Sequence, residues 1–593
     1  MKIPSIRSLL GPVIFLFEIG YRYSKPNQRD VIKYWIMFIV ANTIGLIVGP
    51  LVFARMINII QVEGITNQNF GSLVQYLSLL VLLEVVFWLL HGPARVIECT
   101  NGFRVKSNYK KSLLKGVLAL GMDWHSKHHS GDTIDKISKG TDSLSDFMSG
   151  TFEIIYMMVQ FLISCIVLAY FNLYLSFVVI AMIVISGIIV ITFDRILILQ
   201  YDEINKLENK ISENIFDCIS NITTVIILRV GKFLFDSMGT KIDEPYAVYR
   251  KNCILSEIKW FLINMCCIIT TVIVLSLYFY QHLGTAEGIL IGNIFLLHRY
   301  LDTISNNFYR FCGMYSDIVR RHAKVRNSEI LSQQFTGGSL ENHFLKSDWK
   351  QIEVSDLCFS YPSQVDDGFR NLDSLRFVIR RGEKIAFLGK TGSGKTTTLK
   401  LIRGLYSPAR VIVNVDGREV AGGFEGISNA ISLIPQTPEI FATTVLRNVT
   451  FGVEQSMSEI DRYADICCFL EDIRSFPDGW DTHIGERGVN LSGGQQQRLA
   501  LARGLFASRD KDIILLDEPT SSIDPRLSQK VMERVMVECK QKTVIAVLHN
   551  LSLLRHFDYI YIFEGGRIVS QGSSEELQRS CRLFQEMWSS HLQ

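Results

Sequence analysis

The sequence predicts an all-α transmembrane domain of six helices followed by an α/β domain built on a phosphate-binding loop. Three observations carry that prediction. The 48% hydrophobic share of the 593 residues is unevenly spread, and it concentrates before about residue 315. Six stretches there each supply the roughly 20 apolar residues that a bilayer-crossing helix needs. From about residue 350 the pattern changes to short β-runs alternating with amphipathic helices, with Gly389-Lys390-Thr391-Gly392-Ser393-Gly394-Lys395-Thr396 matching G-x-x-x-x-G-K-[ST] among them.

Residues 1–30 form an N-terminal segment whose apolar run Leu9–Phe17 follows Lys2 and Arg7. It lacks a small-residue cleavage site and a spanning stretch follows, so the expectation is an amphipathic helix on the cytoplasmic membrane surface. The transmembrane domain is expected over 31–325, with spans near 31–54, 72–92, 151–171, 173–193, 259–281 and 288–311. The third and fourth make a tight hairpin around Asn172. Polar stretches at 93–150 and 194–258 are too long for loops and suit helices that leave the membrane and turn back.

Lysine and arginine set the orientation. The short loops near 58–71 and 282–287 contain neither residue, whereas the long stretches are rich in them, for example Arg104, Lys106, Lys110, Lys206, Lys210 and Arg229. The long stretches, the N-terminus and the second domain are therefore expected in the cytoplasm. The absence of an Arg/Ser-rich, acid-poor leader argues against a mitochondrial address, and the expected location is a bacterial inner membrane. A charged helical stretch through Asp317, Arg320, Arg321, Lys324 and Arg326 leads to a linker at 326–349 containing Thr336-Gly337-Gly338. The α/β domain occupies 350–593.

A net charge of +3 leaves no electrostatic footprint for nucleic acid. Twelve cysteines show no C-x-x-C pairing or zinc spacing, which fits ordinary thiols in a reducing compartment. His125, His128 and His129 lie close together without a nearby second cluster, and polar contacts at a domain interface explain them better than a metal.

The phosphate loop follows the strand-like Lys384–Leu388 and opens a helix with Leu399, Ile402 and Leu405 at helical spacing. Glycines there let backbone N–H groups approach phosphate oxygens at a helix N-terminus. Lys395 would reach the β/γ-phosphates and Thr396 would hold Mg²⁺. Asp517-Glu518 ends the apolar run Ile513–Leu516, placing a metal-binding carboxylate beside one able to polarise the attacking water. Leu491-Ser492-Gly493-Gly494-Gln495 opens a second helix with a hydroxyl and bare amides, a second anion site in a chain that already has one. Two such sites suggest two surfaces closing on one nucleotide.

The order of these motifs resembles the ATP-binding cassette (ABC) transporters of the exporter type, and the resemblance covers nearly the whole chain. It implies ATP and Mg²⁺ as cofactors, with Thr396, Gln436 and Asp517 on the metal and Glu518, His549 and Gln436 as catalytic residues. It places Gly389, Gly392, Ser393, Gly394, Lys395, Thr396 and Thr397 on the phosphates and Tyr361 on the adenine. Ser492, Gly493, Gly494 and Gln495 would close over a partner's nucleotide, with Asp524 at the dimer interface. Glu486, in Gly485-Glu486-Arg487-Gly488, resembles a segment contacting the intracellular loops, and coupling helices are implied near 122–132 and 225–237. Departures are modest: Val547-Leu548-His549-Asn550 stands where exporters carry a more polar switch, and Pro519 follows the glutamate. No reacting group is missing, so the resemblance implies a homodimer with two competent sites; a heterodimer stays open.

The implied function is ATP-driven export by alternating access of an amphipathic small molecule, lipid or peptide that the sequence does not identify. A lipid or glycolipid flippase, an importer and an ATP-gated channel are the alternatives, and membrane lipids are partners in each. Candidate pathway residues are Glu84, His298, Arg299, Asp302, Asn306 and Arg310, because charge within a span is costly and faces a cavity or a partner. Arg299 and Asp302, three apart, alternatively pair on one helix face.

Overall fold

The computed structural model describes residues 6–128, 130–171, 173–283, 290–335, 345, 348–361, 371–485, 488, 490–592. The expected linker glycines at 337–338, and Glu486, Asn172 and His129, lie outside them. The chain divides into two compact units: Met1–Leu118 with Ser130–Thr336, and Ala119–His129 with Gly337–Gln593. The short segment expected as the first coupling helix thus belongs to the second unit.

The first unit is helical throughout: α1 (Ile6–Tyr23), α2 (Gln28–Glu63) and α3 (Phe70–Leu118), and then, beyond the short α4 (Met122–Lys127) of the second unit, α5 (Ser130–Ser149), α6 (Thr151–Phe171), α7 (Leu173–Ser220), α8 (Ile222–Ile227), α9 (Gly231–Asp243), α10 (Tyr246–Gln281) and α11 (Ile291–Ser332). Five helical stretches among the described residues are long and apolar enough to cross a membrane: Gln28–Glu63, Phe70–Leu118, Thr151–Tyr170, Leu173–Ser220 and Gly231–Gln281. The sixth expected span falls on α11, which has the length but not the apolarity, because His298, Arg299, Asp302 and Arg310 interrupt it. Of the six expected spans, five are found as candidate spans among the described residues.

Polar side chains tie these helices at their ends. Glu98 of α3 is fully buried and accepts from Thr151 Oγ1 (2.6 Å) and Phe152 N (2.8 Å), satisfying orphan donors at the start of α6, while Arg95 pairs with it. Lys259 of α10 meets Asp194 of α7 at 2.9 Å, with side chains only 4% and 14% exposed. A buried charge survives in such a place only when paired. The apolar core between α6, α7, α10 and α11 contains Met182, Ile263, Val274, Leu297 and Ile304. The opposite face of α11 carries His298, Arg299, Asp302, Asn306 and Arg310, all exposed. No ion pair joins Arg299 to Asp302 among the described residues. Glu84 lies on an exposed face of α3 and accepts from Trp88 Nε1 at 3.1 Å.

The second unit is an α/β domain with, among the described residues, ten strands: β1 (Gln351–Phe359), β2 (Leu372–Arg380), β3 (Lys384–Gly389), β4 (Arg410–Val415), β5 (Arg418–Glu419), β6 (Ile431–Ile434), β7 (Ile513–Asp517), β8 (Thr543–Val547), β9 (Tyr559–Glu564) and β10 (Arg567–Gly572). Its principal sheet has the order β10-β9-β3-β8-β7-β6, parallel from β9 to β6; a second, antiparallel sheet runs β2-β1-β4-β5. Alternate residues of the central strands enter two cores. Ala386, Leu388, Leu516 and Ala546 face one, and Ile385, Phe387, Leu515 and Val547 face the other. Burial on both faces explains why these strands read as unbroken apolar runs.

The α-helices of this unit after α4 are, among the described residues, α12 (Lys395–Ile402), α13 (Val445–Thr450), α14 (Met457–Ile466), α15 (Leu470–Ser475), α16 (Gly493–Ala507), α17 (Pro525–Glu538), α18 (Ser574–Ser580) and α19 (Arg582–Leu592). At the end of α4, His128 donates from Nδ1 to Trp124 O (2.9 Å) and stacks on the Trp124 ring at 4.1 Å. No group of potential metal ligands gathers among the described residues.

Candidate active site

Four adjacent parallel strands, β3, β8, β7 and β6, deliver the site residues from their carboxyl ends, where open α/β sheets place ligands. The phosphate loop follows β3, Asp517 and Glu518 end β7, His549 follows β8, and Gln436 follows β6. A cavity of about 530 Å³ is lined there by Thr391, Gly392, Lys395, Thr396, Gln436, Glu518 and His549, among others. Gly394 and Thr397 also border it.

The loop needs its glycines for reasons visible locally. Gly389 has φ 144 and a Cβ there would strike the Phe563 carbonyl; Gly394, at φ 102, would strike Leu372. Ser393 Oγ is buried without a hydrogen-bond partner among the described residues. Such an atom is costly unless a ligand satisfies it, and a phosphate oxygen is a suitable acceptor. Lys395 is 5% exposed and its Nζ donates to the carbonyls of Gly389 (2.8 Å) and Lys390 (2.9 Å), folded back on its own loop. Burial lowers its pKa, against the opposing pull of Glu518 and Asp517.

Thr396 Oγ1 donates to Asp517 Oδ1 at 2.9 Å. Burial raises the Asp517 pKa and the Thr396 bond opposes the shift. A hydroxyl, a buried carboxylate and the amide oxygen of Gln436 make an all-oxygen donor set suited to a hard divalent cation such as Mg²⁺.

The Glu518 carboxylate receives two donors at once, Gln436 Nε2 at 2.8 Å and His549 Nε2 at 2.8 Å. Its backbone sits at φ 48, left-handed for a residue with a Cβ, a conformation that costs about 1–3 kcal/mol and must be held by its surroundings. One holder is Gln497 of α16, whose Nε2 donates to Glu518 O (3.0 Å) and whose Oε1 accepts from Ser522 N (2.6 Å). Gln497 and Asn371, which borders the cavity and accepts from Tyr361 N at 3.0 Å, were not anticipated from the sequence. The signal for Gln497 was its place one turn and a half into the helix opened by Ser492.

The other predicted residues lie apart from this cavity. Ser492 N-caps α16 in a capping box with Gln495, each side chain bonding the other's backbone, and Ser492 and Gly493 are exposed. Gly494 is half-buried beside them. None of Ser492, Gly493, Gly494 or Gln495 borders the cavity of this chain's own phosphate loop. Asp524 is exposed and caps α17 through Leu527 N at 3.0 Å. Tyr361 does not border the cavity either; its hydroxyl lies 3.3 Å from Thr397 Oγ1 and its ring packs edge-on against Phe359 and Tyr406.

Comparison with known proteins follows the same division. Residues 32–307 match the ABC transporter transmembrane region and residues 372–521 the ABC transporter family. A glutathione/L-cysteine transport system ATP-binding/permease protein, CydD, of Bacillus subtilis is 34% identical over 275 residues, 46% of each chain. ATP-binding cassette sub-family B member 6 of Mus musculus is 25% identical over 485 residues, 79% of this chain and 56% of the mouse protein. An ATP-dependent lipid A-core flippase of Burkholderia pseudomallei is 34% identical over 234 residues, 39% of each. The chain thus spans about half the length, or less, of these curated relatives. A bacterial Atm1-family ABC exporter solved with ATP bound superposes with a TM-score of 0.82 at 20% identity, covering 95% of this chain and 99% of that one. With a membrane region and an ATP-binding cassette matched in one polypeptide, the chain belongs to the ABC transporter family, and it has the fold of a solved exporter over nearly its whole length.

Proposed function

We propose that two copies of this chain form an ATP-driven exporter in a bacterial inner membrane, with the cassettes in the cytoplasm. The observation that carries the reading is the preformed anion site at Ser492 and Gly493, exposed and separate from the chain's own phosphate loop. A second chain related by a two-fold axis would present that site to the first chain's nucleotide, and the first would reciprocate.

On binding ATP, Lys395 exchanges the Gly389 and Lys390 carbonyls for phosphate oxygens, and Ser393 gains the partner it lacks. Bound Mg²⁺, held by Thr396, Asp517 and Gln436, supplies charge neutralisation at the phosphates. Gln436 and His549 both rest on Glu518 in this structure, so each would turn from the carboxylate toward the γ-phosphate. That frees Glu518 to take the proton of the attacking water. Ser492 of the partner subunit excludes bulk water from the other side. Closure of the cassettes is passed to the spans through the segments near 122–132 and 225–237, switching the cavity between inward- and outward-facing. Exposed Ile226, Ile227, Phe233 and Phe235 on α8 and α9 supply an apolar docking surface for the second of these. The relative named for lipid A-core flipping favours an amphipathic substrate, whereas the one named for glutathione and L-cysteine transport favours a small polar one.

The test is complementation between two inactive variants. Lys395→Ala and Ser492→Arg should each abolish ATPase turnover alone. Co-expressed, their mixed dimers contain one intact composite site, and random pairing should restore about a quarter of wild-type turnover. No restoration, in dimers shown to be mixed, would reject the shared site.

A further inference from the structure

Apart from the nucleotide site, an unassigned cavity of about 670 Å³ lies within the first unit, walled by α2, α3, α5, α6 and α11. Its volume falls within the range of small-molecule sites, about 300–1,000 Å³. Two of its polar atoms are left waiting. Asn42 is 3% exposed, yet its Oδ1 has no hydrogen-bond partner among the described residues, and the same is true of the buried His91 Nδ1 atom. An unsatisfied amide in a membrane span is expensive, and it borders the cavity.

The walls carry opposite charges that do not neutralise one another. Arg310 and Arg321 border the cavity from α11, eleven residues and therefore about 16 Å apart on nearly one face of the helix. Asp146 at the end of α5 and Glu153 in the first turn of α6 border it from the other side. Among the described residues none of these four forms an ion pair, whereas Asp317, also on the wall, is paired with Arg320. Phe87, Tyr156, Met157 and Met314 border the same cavity and add aromatic and thioether surface to its wall.

We propose that this cavity binds a zwitterion: an anionic group against Arg310 and Arg321, an ammonium against Asp146 and Glu153, and an apolar body between them, with a donor satisfying Asn42 Oδ1. The site rests on the exporter reading only in calling the ligand a substrate. A small soluble molecule and a zwitterionic lipid headgroup share this chemistry.

Binding is measured calorimetrically on the full chain in nanodiscs of phosphatidylglycerol, without nucleotide, so that a failure of ATP hydrolysis leaves the result untouched. The probes are alanyl-phenylalanyl-alanine, its N-acetylated and C-amidated forms, and glycerophosphoethanolamine. One of the two zwitterions should bind, the tripeptide indicating a soluble ligand and glycerophosphoethanolamine a headgroup; both support the site. With the tripeptide, loss of either terminal charge should weaken binding at least tenfold. Arg310→Ala/Arg321→Ala should erase the difference between free and amidated peptide, and Asp146→Asn/Glu153→Gln the difference between free and acetylated peptide. With glycerophosphoethanolamine, each double variant should weaken binding at least tenfold. Because the blocked peptides are tested on the unaltered chain, a variant that misfolds does not remove the test. Equal binding of charged and blocked peptides overturns the proposal. So does the absence of binding by both zwitterions to protein that hydrolyses ATP, which leaves the exporter reading standing.

Discussion

Replacing Glu518 with glutamine separates chemistry from structure in this site. The carboxylate is held by two 2.8 Å bonds and its side chain is 14% exposed. In the amide, Oε1 still accepts from Gln436, and the NH₂ group meets His549 Nε2, which accepts once the neutral ring carries its proton on Nδ1. Both bonds survive and only their charge assistance is lost, a cost of about 0.5–1 kcal/mol. In a domain of this size that lowers Tm by only about 2–4 °C. The left-handed backbone at φ 48 is no harder for glutamine than for glutamate. Loss of a general base costs about 10²–10⁴ in rate, which is ~3–5 kcal/mol at 1.36 kcal/mol per decade. Glu518→Gln should therefore fold, bind ATP at least as tightly as the parent chain, and release phosphate at least a hundredfold more slowly. Turnover is read by phosphate release, affinity by a fluorescent nucleotide, and folding by a thermal melt. Turnover within tenfold of the unaltered protein would refute the assignment of the base.

Two further predictions concern buried charges in the cassette. Lys384 is 8% exposed and donates from Nζ to the carbonyls of Gly382 (3.1 Å), Cys539 (2.9 Å), Lys540 (3.4 Å) and Lys542, closing the end of α17 against β3. Lys384→Met should destabilise the domain by about 2–4 kcal/mol in a denaturant titration, because it strands those acceptors; a loss below about 0.5 kcal/mol would contradict this. Asp517 binds its proton more tightly in the folded state than its ordinary value of 3.8 implies, because burial penalises its charge. Between 3.8 and the raised folded value the native chain holds more protons than the unfolded one, so stability falls as pH rises through that window. Asp517→Asn, free of that penalty, should gain on the parent chain across the window in nucleotide-free melts, and a constant gap between the two would reject the argument.

The chemistry of the cassette was legible because phosphate binding constrains local sequence. A strand, a glycine-rich turn and a helix start occupy consecutive residues, so Gly389–Thr396 could be read directly. Asp517 and Glu518 were legible because an apolar run buried on both faces ends abruptly in two carboxylates. Gln497 and Asn371 were not, since each acts through a backbone atom of a segment distant in sequence. Asp524 was expected only at an interface, and its local role as the cap of α17 is an additional demand on the same carboxylate. The sixth span was read as long and apolar enough to cross, but the charges of α11 remove the apolarity that defines the other five.

By itself the sequence determined the order of the two units, the apolar stretches and the identities of the reacting groups, all of which depend on short-range pattern. Tertiary structure decided their relations. It turned Lys395 back onto its own loop, brought Gln436 and His549 together on Glu518, and kept Ser492 outside the cavity its own chain forms. It also gathered Asn42, His91, Arg310 and Arg321 from three helices around one space. Those arrangements depend on how strands β3, β8, β7 and β6 lie side by side and how long helices cross. That is a matter of packing between distant residues, on which local periodicity is silent.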